Sequence, residues 1–406
     1  MPNLIHLKST VFVLFFLLVS CPGTESPSEE ENSSNEQPKE IVVAANRTAE
    51  YLPLLKGKRV ALVANQTSVI FTEQGHQHLV DSLLSHRIDL KKIFSPEHGF
   101  RGRADAGEVV KDGKDTKTGL PLVSLYGKNK KPSQEQLADV DLVLFDIQDV
   151  GVRFYTYIAT LQYVMEACAD RGIPVIVLDR PNPNGHYVDG PSMRKEHSSF
   201  LGLNEIPLVY GMTMGEYAVM ISREGWLDTQ KNVQLTVIPL ENYTHQSSYH
   251  LPIRPSPNLP NDQSINLYPS LGLFEGTTIN AGRGTESQFQ RFGSSVLDQE
   301  VFEFTYTPQP NFGSKYPKEQ GKLCYGEDLS DQKPLASVDL QWIVKAYQNS
   351  TDKENFFLTA SFTKHAGQTE LQKQIESGMS AQEIRATWSK DLEKFKQIRA
   401  KYLLYP

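Results

Sequence analysis

The chain reads as an α/β protein built on a mostly parallel sheet, and three observations carry that reading. Short runs rich in Val, Ile and Leu occupy 59–64, 92–94, 142–147, 175–178 and 233–238, with the length and apolar density of strands buried on both faces. Between them, 77–85, 157–171 and 213–224 space their apolar residues as helices do. The two kinds of segment alternate, which puts helices over both faces of one sheet. The helix over 157–171 has the clearest end, with Gly172 and then Pro174 behind it.

A Pro-rich stretch from Pro252 to Pro269 interrupts this alternation and marks the expected junction, giving a first domain over 46–262 and a second over 263–406. Beyond it, 300–306 and 356–362 read as strands, and 338–348 and the final stretch as helices. Ser380-Ala381-Gln382-Glu383 is a capping box, in which the hydroxyl and the carboxylate satisfy the first backbone N–H groups of a helix. The stripe Ile384, Trp388, Leu392, Phe395, Ile398, Tyr402 keeps helical spacing, so Trp388 is assigned to the core and not to a sugar platform.

The first residues read as a processing signal. Lys8 precedes an apolar run over 11–19 that is too short to span a bilayer as an ordinary helix. Leu18-Val19-Ser20-Cys21 then resembles the lipobox of bacterial lipoproteins, which implies a signal peptide over 1–20 and a lipid on Cys21. Residues 21–45 are assigned to a disordered tether, because Ser, Pro, Glu and Asn dominate it. The expected location is therefore the cell envelope, on the periplasmic or outer face of a membrane.

Composition excludes some partners. A formal net charge of −7 and the lack of a basic stripe argue against nucleic acid. Cys168 follows Ile158, Leu161 and Met165 on one helical stripe and is expected as a core thiol; nothing favours a bond to Cys324. No Cys-x-x-Cys spacing occurs, and His76 and His78 read as the polar start of a surface helix, so neither metal nor cofactor is expected.

Ligands of open parallel sheets bind beyond the carboxyl ends of the strands. Four strands are followed by Asn65-Gln66-Thr67, by Ser95-Pro96-Glu97-His98, by Asp146-Ile147-Gln148-Asp149 and by Asp179-Arg180-Pro181-Asn182, which would line one polar rim. Glu97 leads as the chemical group, because Pro96 and Gly99 make the chain leave its strand sharply there. Two readings stand for the next cluster: Asp146 or Asp149 in catalysis, or Asp149 as a helix cap with Arg153 paired to Asp146. In the second domain Gly282-Arg283-Gly284 lacks dinucleotide spacing. Arg283 there either grips an anionic substrate group in a bidentate fork or pairs with Glu286 or Glu275. Ser192-x-x-Lys195 has no companion motif and is set aside, and no Gly-x-Ser-x-Gly elbow is present.

Together the motifs resemble the NamZ (YbbC-like) exo-β-N-acetylmuramidases. The resemblance rests on Ser95-Pro96-Glu97-His98-Gly99-Phe100-Arg101-Gly102, Ala106-Gly107-Glu108, Ser124-Leu125-Tyr126-Gly127 and the run from Phe145 to Tyr157. It continues through Asp179-Arg180-Pro181-Asn182-Pro183, Pro257-Asn258-Leu259-Pro260, Leu267-Tyr268-Pro269-Ser270, Glu275-Gly276-Thr277 and Gly282-Arg283-Gly284-Thr285. It implies a Rossmann-like domain, a smaller C-terminal α/β domain, an active-site cleft between them, and removal of terminal β-linked N-acetylmuramic acid from peptidoglycan fragments. Glu97 matches the family's proposed catalytic glutamate, with His98 or Asp149 to tune it. The substrate-binding set is then Asn65, Asp146, Arg153, Tyr155, Asp179, Asn182, Glu275 and Arg283, of which Arg153 and Arg283 are the cations for the lactyl carboxylate of muramic acid. A non-catalytic, lipid-anchored cell-wall sugar-binding protein is the alternative; an amidase or esterase lacks its nucleophile motif.

Overall fold

Seven strands form the central sheet of the computed structural model, which describes residues 39–100 and 112–406. They are β1 (Arg59–Ala64), β4 (Asp89–Ser95), β5 (Gly113–Lys114), β6 (Pro121–Ser124), β7 (Leu142–Asp146), β8 (Val175–Leu178) and β9 (Leu235–Ile238), in the order β5-β6-β4-β1-β7-β8-β9. All neighbours pair in parallel except β5 with β6 at one edge. The parallel strands wind outward from β1 in both directions, so the topological switch point lies between β1 and β7, where Ala64 pairs with Asp146.

Alternation along the strands splits the core in two. Val60, Leu62 and Ala64 join Tyr51 and Leu55 of α1 (Thr48–Leu55) and Leu79, Val80 and Leu83 of α2 (Leu79–Ser85). Ala61 and Val63 face the other way, toward Ile158, Leu161 and Met165 of α3 (Tyr157–Arg171) and Tyr217 and Ile221 of α4 (Met214–Arg223). Gly172 ends α3 in the left-handed conformation at φ 68°, and Cys168 lies on the buried side as a free thiol that burial pushes up to about 12. Cys324 is also free.

The C-terminal part is smaller. It comprises α5 (Asp262–Leu271), a three-stranded antiparallel sheet of β10 (Arg291–Ser294), β11 (Phe304–Tyr306) and β12 (Cys324–Asp328), and the helices α6 (Gln341–Gln348), α7 (Thr359–Ala366), α8 (Glu370–Glu376), α9 (Ala381–Ala386) and α10 (Ser389–Arg399). Its core is continuous with that of α3 and α4, and Glu40–Pro406 form one compact unit. The chain end returns to the first sheet: the Tyr405 hydroxyl donates to Asp179 at 2.6 Å and accepts from the Leu240 backbone at 2.9 Å.

Several sequence expectations change here. Gly75–His78 is not a helix start but strand β3, which makes a hairpin with β2 (Val69–Thr72); His78 then caps α2 by accepting from the Val80 N–H. Phe356–Phe362 is not a strand, because α7 begins at Thr359; Phe356 is buried just before the helix and Phe362 within it. The last helical stripe is broken at Trp388 into α9 and α10, yet Trp388 is buried as expected. Val43, Ala44 and Ala45, assigned to the tether, are apolar and buried, with Val42 paired to Glu241. Cys21, the signal segment and the motif residues from Arg101 to Glu108 lie outside the described residues. No helix among the described residues is long and apolar enough to cross a membrane.

Candidate active site

The chain leaves β4 through Pro96, Glu97, His98 and Gly99, and the turn is closed by the Gly99 N–H on the Pro96 carbonyl at 3.1 Å. His98 and Gly99 both adopt left-handed backbone, at φ 68° and 76°. A non-glycine residue there carries strain that neighbours must offset. The His98 ring is buried, with Nε2 3.2 Å from the Ser256 hydroxyl of the Pro-rich junction.

Three elements meet at Glu97. Thr156 ends the β7–α3 connection, and its hydroxyl donates to Glu97 Oε2 at 2.8 Å instead of capping its own helix. Tyr126, after β6, is the second neighbour; burial and then the Glu97 carboxylate push its phenol upward. The Tyr157 hydroxyl lies 3.5 Å from the Glu97 carbonyl and 3.4 Å from that of Pro255, while Tyr155 donates to Pro255 at 2.7 Å. The junction is thereby fastened over the end of the sheet.

Glu97 forms one wall of a cavity of about 320 Å³. Phe154, Tyr155, Tyr268 and Phe289 line it as an edge-to-face aromatic cluster, with Phe154 and Tyr268 5.1 Å apart and Tyr268 and Phe289 4.8 Å apart. Glu275, Arg283 and His365 line it as well. Arg283 donates to Glu275 Oε2 at 2.9 Å. Lys318 spends its ammonium on the carbonyls of Phe274, Glu275 and Thr277 at 2.8, 3.1 and 2.6 Å. Burial disfavours the Glu275 carboxylate, but Arg283, Lys318 and His365 outweigh it and hold its pKa below the usual range. Tyr268 lines the same cavity; burial, then Glu275 and Glu97, raise its phenol. Among the described residues no group of three or more His, Cys, Asp or Glu side chains is placed to hold a metal ion.

Residues 60–263 match the N-terminal domain, and residues 266–405 the C-terminal domain, of the family described as exo-β-N-acetylmuramidase NamZ. The chain belongs to that family. It is 36% identical to the peptidoglycan β-N-acetylmuramidase NamZ of Bacillus subtilis, over 98% of this chain and 100% of that protein. Crystal structures of two DUF1343 family proteins from Bacteroides fragilis superpose with TM-scores of 0.82 and 0.76, at 42% and 27% identity. Each covers 90% of this chain and 99% of its own.

Within this NamZ-family fold, the cavity gathers Glu97, His98, Tyr155, Glu275 and Arg283 from the sequence-derived set and leaves out the rest. Arg153 is the clearest correction. It is fully buried, and its guanidinium donates to the carbonyls of Pro191, Ile206 and His365 at 2.7, 3.1 and 2.8 Å. Gly202 and Gly367 pack against it so closely that a Cβ on either would lie within 2.9 Å of its side chain. Among the described residues it pairs with no carboxylate, and burial pulls its pKa down to about 9. Asp146 pairs instead with Arg180, at 2.6 and 2.9 Å.

Asp149 caps no helix. Its Oδ2 accepts from the Gly151 N–H at 2.6 Å and from the Tyr210 hydroxyl, and burial pushes its carboxyl up to about 7. Asp179 accepts from Thr213, Gly215 and Tyr405. The Asn182 amide donates to Met212 and accepts from Asn184. Asn65 accepts from Thr67, whose hydroxyl receives the Gln148 N–H. These polar groups hold the loops of the rim together and do not face the cavity. Missed at the sequence level were Thr156, Tyr126 and Tyr268, which stood inside the family motifs, and His365 and Lys318, which carried no local signal. A second surface cavity, about 470 Å³, contains Ser192 and Lys195 and none of the residues above.

Proposed function

We propose that this cavity is where the chain hydrolyses the bond of a terminal, non-reducing β-linked N-acetylmuramic acid in peptidoglycan fragments. A glycosidic oxygen leaves poorly at neutral pH unless a placed acid protonates it. Glu97 supplies that proton, oriented by Thr156. Bond cleavage leaves positive charge on the sugar ring; the ionised Glu275 in the same cavity is the counter-charge that stabilises it, and water then adds to the anomeric carbon and releases a proton. Two carboxylates lining one sugar-sized cavity are the observation that carries the reading.

Arg283 is the cation assigned to the lactyl carboxylate, since Arg153 is enclosed and Lys318 does not line this cavity. The test is turnover of a chromogenic N-acetylmuramide and of the natural disaccharide by purified protein. Release of free N-acetylmuramic acid from the non-reducing end is expected; binding without release would leave a cell-wall sugar-binding protein. We further propose lipid anchoring at Cys21, supported by the apolar run and Leu18-Val19-Ser20-Cys21 before it. Full lipoprotein modification is needed for stable attachment, as a single chain holds only marginally. Native protein should sediment with membranes and Cys21→Ala should not; native protein found wholly in the unsedimented fraction would rule the anchor out.

A further inference from the structure

Hydrolysis at this cavity leaves one proton without a receiver, that of the attacking water. His365 lines the cavity together with Glu97 and Glu275. Its Nδ1 lies 2.9 Å from the Ser361 carbonyl, one turn back in α7. A carbonyl can only accept, so Nδ1 carries the ring N–H, and in the neutral imidazole Nε2 keeps a lone pair. Among the described residues nothing hydrogen-bonds to Nε2. The ring is held in place: Phe154 packs against it with centroids 5.4 Å apart, and the Arg153 guanidinium donates to the His365 carbonyl at 2.8 Å. Burial pulls the imidazole below its ordinary pKa, with Lys318 and Arg153 acting in the same sense against the Ser361 bond and Glu275. The ring is therefore neutral at pH 7.

We infer that His365 is the base of the hydrolysis, its Nε2 taking the proton of the water that adds to the anomeric carbon. This rests on the function proposed above. The O–H bond of the water breaks as its oxygen bonds to the anomeric carbon, and the Glu97 proton goes to the leaving oxygen. The imidazolium then gives its proton to solvent, and solvent reprotonates Glu97. The other titratable groups of the cavity suit the step less well. Arg283 helps to keep Glu275 ionised, which makes it a steady counter-charge and a weak base. Glu97 enters the step as the acid, and His98 has its Nε2 against the Ser256 hydroxyl at 3.2 Å. Burial pushes the phenols of Tyr126, Tyr155 and Tyr268 upward, so they stay protonated. A base serves best when its pKa lies near the working pH, which is the range of an imidazole.

The experiment measures turnover of the natural disaccharide by wild type, His365→Ala and His365→Gln, with and without sodium azide. Azide carries no proton, so it can attack the anomeric carbon without a base. Both variants should lose roughly 10²–10⁴-fold in kcat with KM little changed. Azide should restore turnover to His365→Ala, where the lost ring leaves room for it, with the glycosyl azide as product, and should not accelerate wild type. Wild-type kcat in either variant would overturn the base. So would a loss confined to KM, which makes His365 a binding contact, or a kcat loss in folded His365→Ala that azide leaves unrestored. If His365→Ala shows no melting transition, His365→Gln, which keeps a polar side chain against Phe154, is read by the same criteria. Wild type inert on the disaccharide would instead refute the hydrolase reading on which the assignment rests.

Discussion

The chain leaves β4 on one side of the sheet's switch point, and β7 and β8 on the other, with the same kinds of side chain. Their fates are opposite. After β4, Glu97 reaches a cavity and accepts from the Thr156 hydroxyl at 2.8 Å. After β7 and β8, Asp146, Asp149, Asp179, Arg180 and Asn182 are buried and bonded to one another's loops. A carboxylate at a strand end is therefore available to a ligand only where it lines a cavity. What closes the second side is the β7–α3 turn: Gly151, at φ 75°, lies so near Asn182 that a Cβ would come within 2.3 Å of it.

The sharpest way to break this contrast is Glu97→Gln. It keeps shape and an acceptor for Thr156 but removes the proton, so turnover of the natural disaccharide should fall roughly 10²–10⁴-fold with the fold intact. Wild-type rates with an unactivated leaving group would remove Glu97 from the chemistry. On the closed side the reverse holds. Arg180→Ala leaves Asp146 buried without its partner and should cost about 3–5 kcal/mol of stability, read by denaturant unfolding. A stable Arg180→Ala protein with altered substrate selectivity would put that side back in the site.

Arg283→Ala should act less strongly, and on binding. KM for muramides should rise roughly tenfold, while the weaker activity on N-acetylglucosaminides, which lack the lactyl group, stays put. Because Arg283 also holds Glu275, Arg283→Lys separates the roles: it keeps the positive charge beside Glu275 but not the fork. A proportional loss on both sugars in both variants would mean that Arg283 serves Glu275 alone.

How far the sequence reaches follows from the same contrast. The strands were legible because residues buried on both faces produce continuous apolar runs, and Arg59–Ala64 and Val175–Leu178 appear with the bounds read from them. Glu97 was legible because Pro96 and Gly99 mark an abrupt exit. Arg153 was misread because a cation near strand-end carboxylates looks like a ligand group; its true partners are carbonyls, which leave no mark in a sequence. Phe356 and Phe357 look like strand residues locally, and only packing against Tyr347 and Phe362 makes them helix-flanking core. His365 joins the cavity from far along the chain, by tertiary contact alone.

Asp149 gives the smallest effect and the finest test of where the boundary between the two sides lies. Burial raises its carboxyl to about 7 although Tyr210 and two backbone N–H groups donate to it. In the unfolded chain it titrates near 4. Between those values the folded protein keeps a proton that the unfolded chain has released, so its contribution to stability is full below about pH 4 and is lost as pH rises through 7. Asp179, raised to about 6 by burial, acts with the same sign. Asp149→Asn cannot ionise, and its amide oxygen can still accept from Gly151 and Tyr210. The melting temperature of the variant should therefore gain on wild type between pH 5 and pH 8, with the remaining dependence left to Asp179. Its pH–rate profile on muramides should keep both limbs of wild type, because Asp149 does not line the cavity. A displaced limb would return Asp149 to the catalytic set and move the boundary across the switch point to β7.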